Sequence, residues 1–326
     1  MQTSGAPLLQ VEDLQTHFFT RRGVVKAVDG VSFTVSAGET LGIVGESGSG
    51  KTMTSLSLLR LVPQPGGKIV GGKILFDGVD LLKLSENEMR SYRGSRISMI
   101  LQDPMASLNP VYTVGEQVAE PLRQHQHLHG QQLRSQVVEA LRLLRIPSPE
   151  DRLRSYPHQM SGGMRQRVVG GIAMSCRPKL IIADEPTTAL DATIQAQYLA
   201  LLKDLQRETN FGMIFVSHDF GVISRVCDRV AVMYAGSIVE TGTVRELFKH
   251  PKHPYTRGLL ESIPRVDRKM ERLASIEGQP PALLDLPPGC RFAPRCSVAM
   301  DRCGETMPPR VQVGEDHSAS CWKLST

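Results

Sequence analysis

The sequence predicts an α/β protein, a mostly parallel sheet carrying a phosphate-binding loop, with an antiparallel β subdomain, a helical subdomain and a small cysteine-containing extension. Three observations predict it. The nearly all-apolar residues 40–44 run into Gly45-Glu46-Ser47-Gly48-Ser49-Gly50-Lys51-Thr52 and then into a helix-compatible stretch. Two further apolar segments, 180–183 and 213–216, alternate with a helical pattern, as the strands of a parallel sheet do. Four of the six cysteines, finally, fall beyond Gly289 in a tail interrupted by prolines.

Taken in order, residues 8–35 alternate apolar and polar side chains around Thr20-Arg21-Arg22-Gly23, which reads as strand, turn and strand. Residues 40–44 form a short buried strand. A helix over 51–61 follows, marked by Leu56, Leu58, Leu59 and Leu61. From Pro110 to about Cys176 the pattern is helical, with Val137, Val138, Leu141, Leu143 and Leu144 on one face and interruptions at Pro147 and Pro149. The helical subdomain is therefore placed at about 103–176. A helix at 194–207 separates the strands 180–183 and 213–216, and a β-rich return occupies 230–240. After Pro264 the composition changes, with Gly278-Gln279-Pro280-Pro281 and Leu286-Pro287-Pro288-Gly289 breaking regular structure. These shifts divide the chain into a main domain at 1–264 and an extension at 265–326.

Composition narrows the function classes. A hydrophobic fraction of 40% with 22% charged residues is that of a folded chain rather than a disordered one. Lys and Arg exceed Asp and Glu by only 5, and they are not clustered, so the charge leaves no electrostatic footprint for nucleic acid. The first residues lack the pattern of a secretion signal, and no apolar run approaches the ~20 residues that span a bilayer. The expectation is a cytoplasmic protein, in which six cysteines are not a disulfide framework. Cys176 and Cys227 stand in apolar contexts and read as core residues.

The loop at 45–52 fits G-x-x-x-x-G-K-[ST] in its confirming context, after a strand and before a helix. Its glycines let the backbone wrap phosphates, Lys51 reaches the β and γ phosphates, and Thr52 can ligate Mg²⁺. An ordinary glycine turn would not need spacing and context to coincide. Leu180-Ile181-Ile182-Ala183-Asp184-Glu185 ends an apolar strand in two carboxylates at the edge where open α/β sheets bind ligands. Asp184 would support Mg²⁺ and Glu185 would polarise an attacking water.

Together with Gln102 after an apolar strand, Ser161-Gly162-Gly163, Ala189-Leu190-Asp191 and Ser217-His218-Asp219, these residues resemble, in order, the ATP-binding subunits of ABC transporters over roughly 8–250. The resemblance implies an ABC-type ATPase in which Gln102 links Mg²⁺ and water to the membrane subunits and His218 contacts the γ-phosphate. Asp191 would lie across a dimer interface, Ser161, Gly162 and Gly163 would complete the partner's ATP site, and Thr54 joins the loop residues among the nucleotide contacts. Phe18 sits where the family stacks an aromatic on adenine. Phe19 is the competing choice, and core packing stands open for either.

The tract 102–110, Tyr156-Pro157-His158-Gln159 and His253-Pro254-Tyr255-Thr256-Arg257 narrow the resemblance to oligopeptide and dipeptide importers. Met160 and Met164 replace the outer residues of the general Leu-Ser-Gly-Gly-Gln signature, and Met164 looks like the peptide-importer variant. The implied function is an energy-coupling ATPase at the cytoplasmic face of the membrane, hydrolysing ATP to move separate subunits. Partners implied are a second ABC ATPase, a paralogue of this chain in a heterodimer, two membrane-spanning permeases and an external substrate-binding protein. The rival, an ATP-gated clamp on nucleic acid or ribosomes, would bring a long coiled-coil insertion or two ATPase domains in one chain; neither is found.

Cys290, Cys296, Cys303 and Cys321 offer four thiolates, which suit a [4Fe-4S] cluster or tetrahedral zinc. The spacing lacks the paired C-x2-C of zinc ribbons, and free thiols remain a third reading. Gly289-Cys290-Arg291-Phe292-Ala293-Pro294-Arg295-Cys296 resembles the C-terminal region of the same importers, some of which hold a [4Fe-4S] cluster.

Overall fold

The computed structural model describes residues 6–103, 107–188, 190–263 and 275–325. Pro104, Met105 and Ala106 of the tract after Gln102, Ala189 of the segment before Asp191, and the composition change at Pro264 lie outside the described residues. Strands β1 (Leu9–Thr20) and β2 (Gly23–Val35) flank Arg21-Arg22, and β3 (Thr40–Val44) precedes α1 (Lys51–Leu58). Then come β4 (Gly67–Phe76), β5 (Val79–Asp80), α2 (Glu86–Tyr92) and β6 (Ile97–Ile100). The helices α3 (Val114–Gln126), α4 (Gly130–Leu143), α5 (Pro149–Arg152) and α6 (Gly162–Met174) follow, succeeded by β7 (Leu180–Asp184), α7 (Ala192–Thr209) and β8 (Gly212–Ser217). The chain continues through α8 (Phe220–Val226), β9 (Arg229–Tyr234), β10 (Ser237–Thr243), α9 (Val244–Lys249) and α10 (Pro254–Glu261), then α11 (Asp301–Glu305), β11 (Arg310–Gln312) and β12 (Ser318–Ser320).

Two compact units result, one of Met1–Leu8, Val35–Glu39 and Lys83–Phe215, the other of Leu9–Thr34, Thr40–Leu82 and Val216–Thr326. In the first, strands run in the order β8-β7-β6, with β6 and β7 parallel from Ile97↔Leu180 to Ile100↔Ala183. All five residues of β7 are buried, which explains why it is apolar without alternation. Helices α3, α4 and α6 close around Val118, Leu122, Val137, Leu141, Val168 and Val169, all buried. Thr113 and Glu116 form a reciprocal cap at the start of α3, satisfying orphan amides there. Pro149, read in the sequence as an interruption, opens α5 from its first turn, where a missing N–H costs nothing.

In the second unit β2-β1-β4-β5 form an antiparallel sheet, with Leu9 opposite Phe76 and Phe18 opposite Gly67. Helix α1 ends at Leu58, short of the expected Leu61, because Arg60 turns left-handed at φ 54°. Strands β11-β12-β10-β9-β3 form a second ladder, in which β3 and β9 are parallel. The tail joins it edge-on through Glu240↔Ala319 and Thr241↔Ser318. Glu240, buried on β10, accepts from the amides of Lys252 and His253 and meets Nε2 of His317 at 2.7 Å. A buried carboxylate needs such partners, and here they come from the element after β10 and from the tail.

Candidate functional site

The phosphate-binding loop lies in the second unit, between β3 and α1. Gly50 at φ +105° is where a side chain is excluded: a Cβ would stand 2.4 Å from the carbonyl oxygen of Ala27. Ser47 and Gly48 face outward, and a Cβ at Gly48 would meet nothing within 4 Å. Lys51 is buried, its Nζ donating to the carbonyls of Gly45 at 2.8 Å and Glu46 at 3.0 Å. Thr52 is exposed in the first turn of α1, whereas Thr54 is buried and donates to Gly50 O at 3.0 Å. The eight-residue α1 has no acidic residue in its first turn, so its amides and dipole favour an anion. His218 is exposed in the loop after β8, and Asp219 caps α8 behind it. At the end of β1 Phe18 is half-buried against Gly67, while the neighbouring Phe19 is exposed under Lys68 Nζ, 5.7 Å from its ring centre.

The carboxylates occupy the first unit. Asp184 is buried at the end of β7, and Glu185 follows in a left-handed conformation at φ 47°. Gln102 Nε2 donates to Glu185 Oε2 at 2.9 Å, and Thr188 Oγ1 donates to the same oxygen at 3.2 Å. Left-handed backbone at a non-glycine residue is strained, and it is this turn that sets the carboxylate beside Gln102. Thr187 accepts from Gln195 Nε2 at 2.9 Å, and Asp191 caps α7 through the amides of Thr193 and Ile194.

The signature shares this unit. Ser161 caps α6 by accepting from the Met164 amide, and Gly162 and Gly163 form the first turn. A Cβ at Gly162 would touch nothing within 4 Å, while one at Gly163 would stand 2.6 Å from Ile194 Cγ2. One glycine thus keeps a surface open and the other admits α7. Met160 is buried and Met164 half-buried, whereas Ser161 between them is exposed.

In the tail, Cys290, Cys296, Cys303 and Cys321 line one small cavity of about 20 Å³, walled by His253, Phe292 and Trp322. That is room for about one water as it stands. Burial raises the thiol pKa values of Cys290 and Cys321, and neighbouring cysteines add to the effect. Among the described residues no three His, Cys, Asp or Glu are gathered tightly enough to hold a single metal ion. The other two cysteines are free thiols, Cys227 buried and Cys176 half-buried.

Sequence reasoning missed two residues of this neighbourhood. Arg295, beside Cys296, makes a two-pronged contact with the Glu46 carboxylate at 2.7 and 3.0 Å, and Tyr255 Oη accepts from the Glu46 amide at 2.9 Å. Both stood in segments singled out for resemblance, but a contact spanning 249 positions leaves no local signal.

Residues 28–188 match the ABC transporter family, and 239–303 match the family described as oligopeptide/dipeptide transporter, C-terminal region. A dipeptide transport ATP-binding protein of Bacillus subtilis is 50% identical over 315 residues, covering 97% of this chain and 94% of its own. The oligopeptide transport ATP-binding protein OppD of the same organism is 52% identical over 318 residues, 97% of this chain and 89% of that one. A probable peptide ABC transporter ATP-binding protein of Sinorhizobium fredii is 51% identical, with 97% and 95% covered. Among solved structures, the dimeric ATP-binding cassette MJ0796 bound to ADP and phosphate matches with a TM-score of 0.64 at 26% identity, over 73% of this chain and 99% of that one.

Proposed function

The chain belongs to the ATP-binding proteins of ABC transporters, in the oligopeptide and dipeptide group, and on that premise we propose that it hydrolyses ATP to drive peptide import. The hydrogen bond from Gln102 to Glu185 at the end of β7 carries the reading, because it sets a carboxylate and an amide where a water can be oriented and deprotonated. The match to the peptide-transporter C-terminal region favours this function over a clamp on nucleic acid.

In this reading Lys51 exchanges the carbonyls of Gly45 and Glu46 for the β and γ phosphates, while the amides of 46–52 and the start of α1 hold their charge. Thr52, Gln102 and Asp184 would hold Mg²⁺, whose charge offsets that of the phosphates. Their chemistry fits, a hydroxyl, an amide oxygen and a carboxylate being hard oxygen donors. Glu185 takes the proton of the attacking water, Gln102 orients that water, and His218 donates to the γ-phosphate. Phe18 stacks on adenine.

The open Ser161-Gly162-Gly163 turn serves a second ATPase subunit, as the dimeric state named for MJ0796 suggests. Contacts made only in the ATP-bound pair favour closure, and loss of the γ-phosphate releases it. A paralogue fills the second place, and two permease subunits with an external binding protein complete the importer at the cytoplasmic face of the membrane. No described helix is long and apolar enough to cross a membrane, which suits separate permeases.

The likeness of the tail to importers that hold a [4Fe-4S] cluster supports such a cluster on Cys290, Cys296, Cys303 and Cys321, which line one small cavity but are not gathered around a metal ion as they stand; zinc is the competing occupant. Anaerobic purification with iron and sulfide in equal, fourfold amounts per chain supports the cluster, and a colourless protein with one zinc per chain overturns it. For the transport reading, the reconstituted importer should accumulate peptide only with ATP. Uptake that persists with Glu185→Gln would sink it.

A further inference from the structure

Glu46 puts a carboxylate inside the loop meant to receive a polyphosphate. Left alone, that charge would oppose the ligand. It is not left alone: Arg295, from the arm between Cys290 and Cys296, binds it with both terminal nitrogens, Nη1 to Oε2 at 2.7 Å and Nη2 to Oε1 at 3.0 Å. The Arg295 side chain is only 4% exposed.

The guanidinium is fully used. Nε donates to Glu277 O at 3.0 Å, Nη1 also to Tyr234 Oη at 3.3 Å and Nη2 also to Ile276 O at 3.2 Å. Five donors thus meet five acceptors, a pattern lysine cannot reproduce. The hydrogen bond to Glu46 is the main reason the guanidinium is held charged above its ordinary range. Glu46 is fixed at its backbone as well: its amide donates to Tyr255 Oη at 2.9 Å, and its carbonyl accepts from Lys51 Nζ and from the Ser49 amide. Tyr234, Tyr255 and Phe292 pack ring against ring behind this contact, with centroids 4.5 to 5.4 Å apart.

We propose that Arg295 is a positioning residue for ATP binding: it neutralises Glu46 and, with Tyr255, holds the phosphate loop in its receptive shape, so that nucleotide affinity depends on the C-terminal arm. The proposal rests on the nucleotide reading of residues 45–52. Its consequence is selective. Arg295 touches the loop and not the reacting atoms, so its loss weakens binding without slowing the chemical step at saturation.

The test uses the full chain in its assembled importer, with a fluorescent ATP analogue for Kd and steady-state hydrolysis for KM and kcat. Arg295→Ala should raise Kd and KM by about 5- to 150-fold, the usual range of coupling between sites, with kcat within about twofold. Arg295→Lys, which keeps the charge but not the fork, should fall between. Glu46→Gln placed in the Arg295→Ala background should recover most of the lost affinity, because the uncompensated charge is gone; a purely structural role for Arg295 would not respond to it. Wild-type affinity in Arg295→Ala, or no recovery in the double variant, overturns the proposal. If Arg295→Ala does not fold, Arg295→Lys with and without Glu46→Gln decides by the same pattern. An unchanged wild-type protein that fails to bind the analogue would instead overturn the nucleotide reading itself.

Discussion

Gln102 Nε2 and Glu185 Oε2 lie 2.9 Å apart, joining a residue 83 positions upstream to the carboxylate that ends the β7 strand. Thr188 donates to the same oxygen from 3.2 Å. The carboxylate is therefore aimed by its own neighbours, and a left-handed Glu185 is what turns it toward them. Strain of this kind, held by neighbours, is common where a chain prepares chemistry.

Glu185→Gln keeps the shape of the side chain but removes the base. Hydrolysis by the assembled importer should fall by about 10²- to 10⁴-fold, the usual contribution of a general base, with ATP affinity retained. The variant should also accumulate as an ATP-bound dimer on size exclusion, since release awaits hydrolysis. Full turnover in this variant would remove Glu185 from the mechanism.

Gly163→Ala tests why the signature turn needs its second glycine. The added methyl would stand 2.6 Å from Ile194 Cγ2, and overpacking of this sort costs about 1–3 kcal/mol. Helix α6 must shift from α7, so both the melting temperature and the ATPase rate should drop. Adding Ile194→Ala removes the colliding atom and should return part of the lost stability relative to Ile194→Ala alone. A Gly163→Ala chain that melts with the wild type would show that the contact relaxes freely.

Much of this was legible in the sequence because its signals are local. Strand, glycine loop and Lys51 sit within a dozen residues, and β7 with Asp184-Glu185 is a single apolar run ending in acid. Helix α7, expected at 194–207, spans Ala192–Thr209 with Asp191 as its cap. What escaped was set by pairing over distance. Strand β4 carries Gly67 at its start and Gly71-Gly72 in its middle, weak β formers that are held by the β1 ladder. The short β11 and β12 have no periodicity of their own and exist because β10 offers an edge. Arg295 and Tyr255 belong to the same class, since only the fold brings them to Glu46.

Phe18 and Phe19 can be told apart by substitution. Phe18 shares the face of β1 on which Thr16 bonds Ser57 of α1 at 2.7 Å, two residues back in a strand of period two. Phe18→Ala should weaken ATP binding by roughly 5- to 100-fold, the value of one aromatic–base stack. Phe19→Ala should leave affinity unchanged, its ring being exposed beneath Lys68. The reverse pattern, read by titration with a fluorescent nucleotide, would exchange their roles.

Acid sensitivity should include a contribution from the cap of α9. Thr243 donates from Oγ1 to Glu246 Oε2 at 2.8 Å and from its amide at 3.0 Å, while the Glu246 amide returns a bond at 3.2 Å. The Thr243 hydroxyl chiefly, then its amide and the charge of His317, hold the Glu246 carboxyl below its ordinary range, against the opposing effect of burial. A depressed carboxylate stabilises the fold above its unfolded pKa, and that share is lost as pH falls through the folded value. Thr243→Ala should therefore cost about 1 kcal/mol near neutral pH. The gap to wild type should narrow as pH drops below about 4.5, where the unfolded carboxyl begins to protonate. Urea unfolding at neutral pH and near pH 4 checks this, and a gap that stays constant or widens on acidification would mean that Glu246 does not sense the cap.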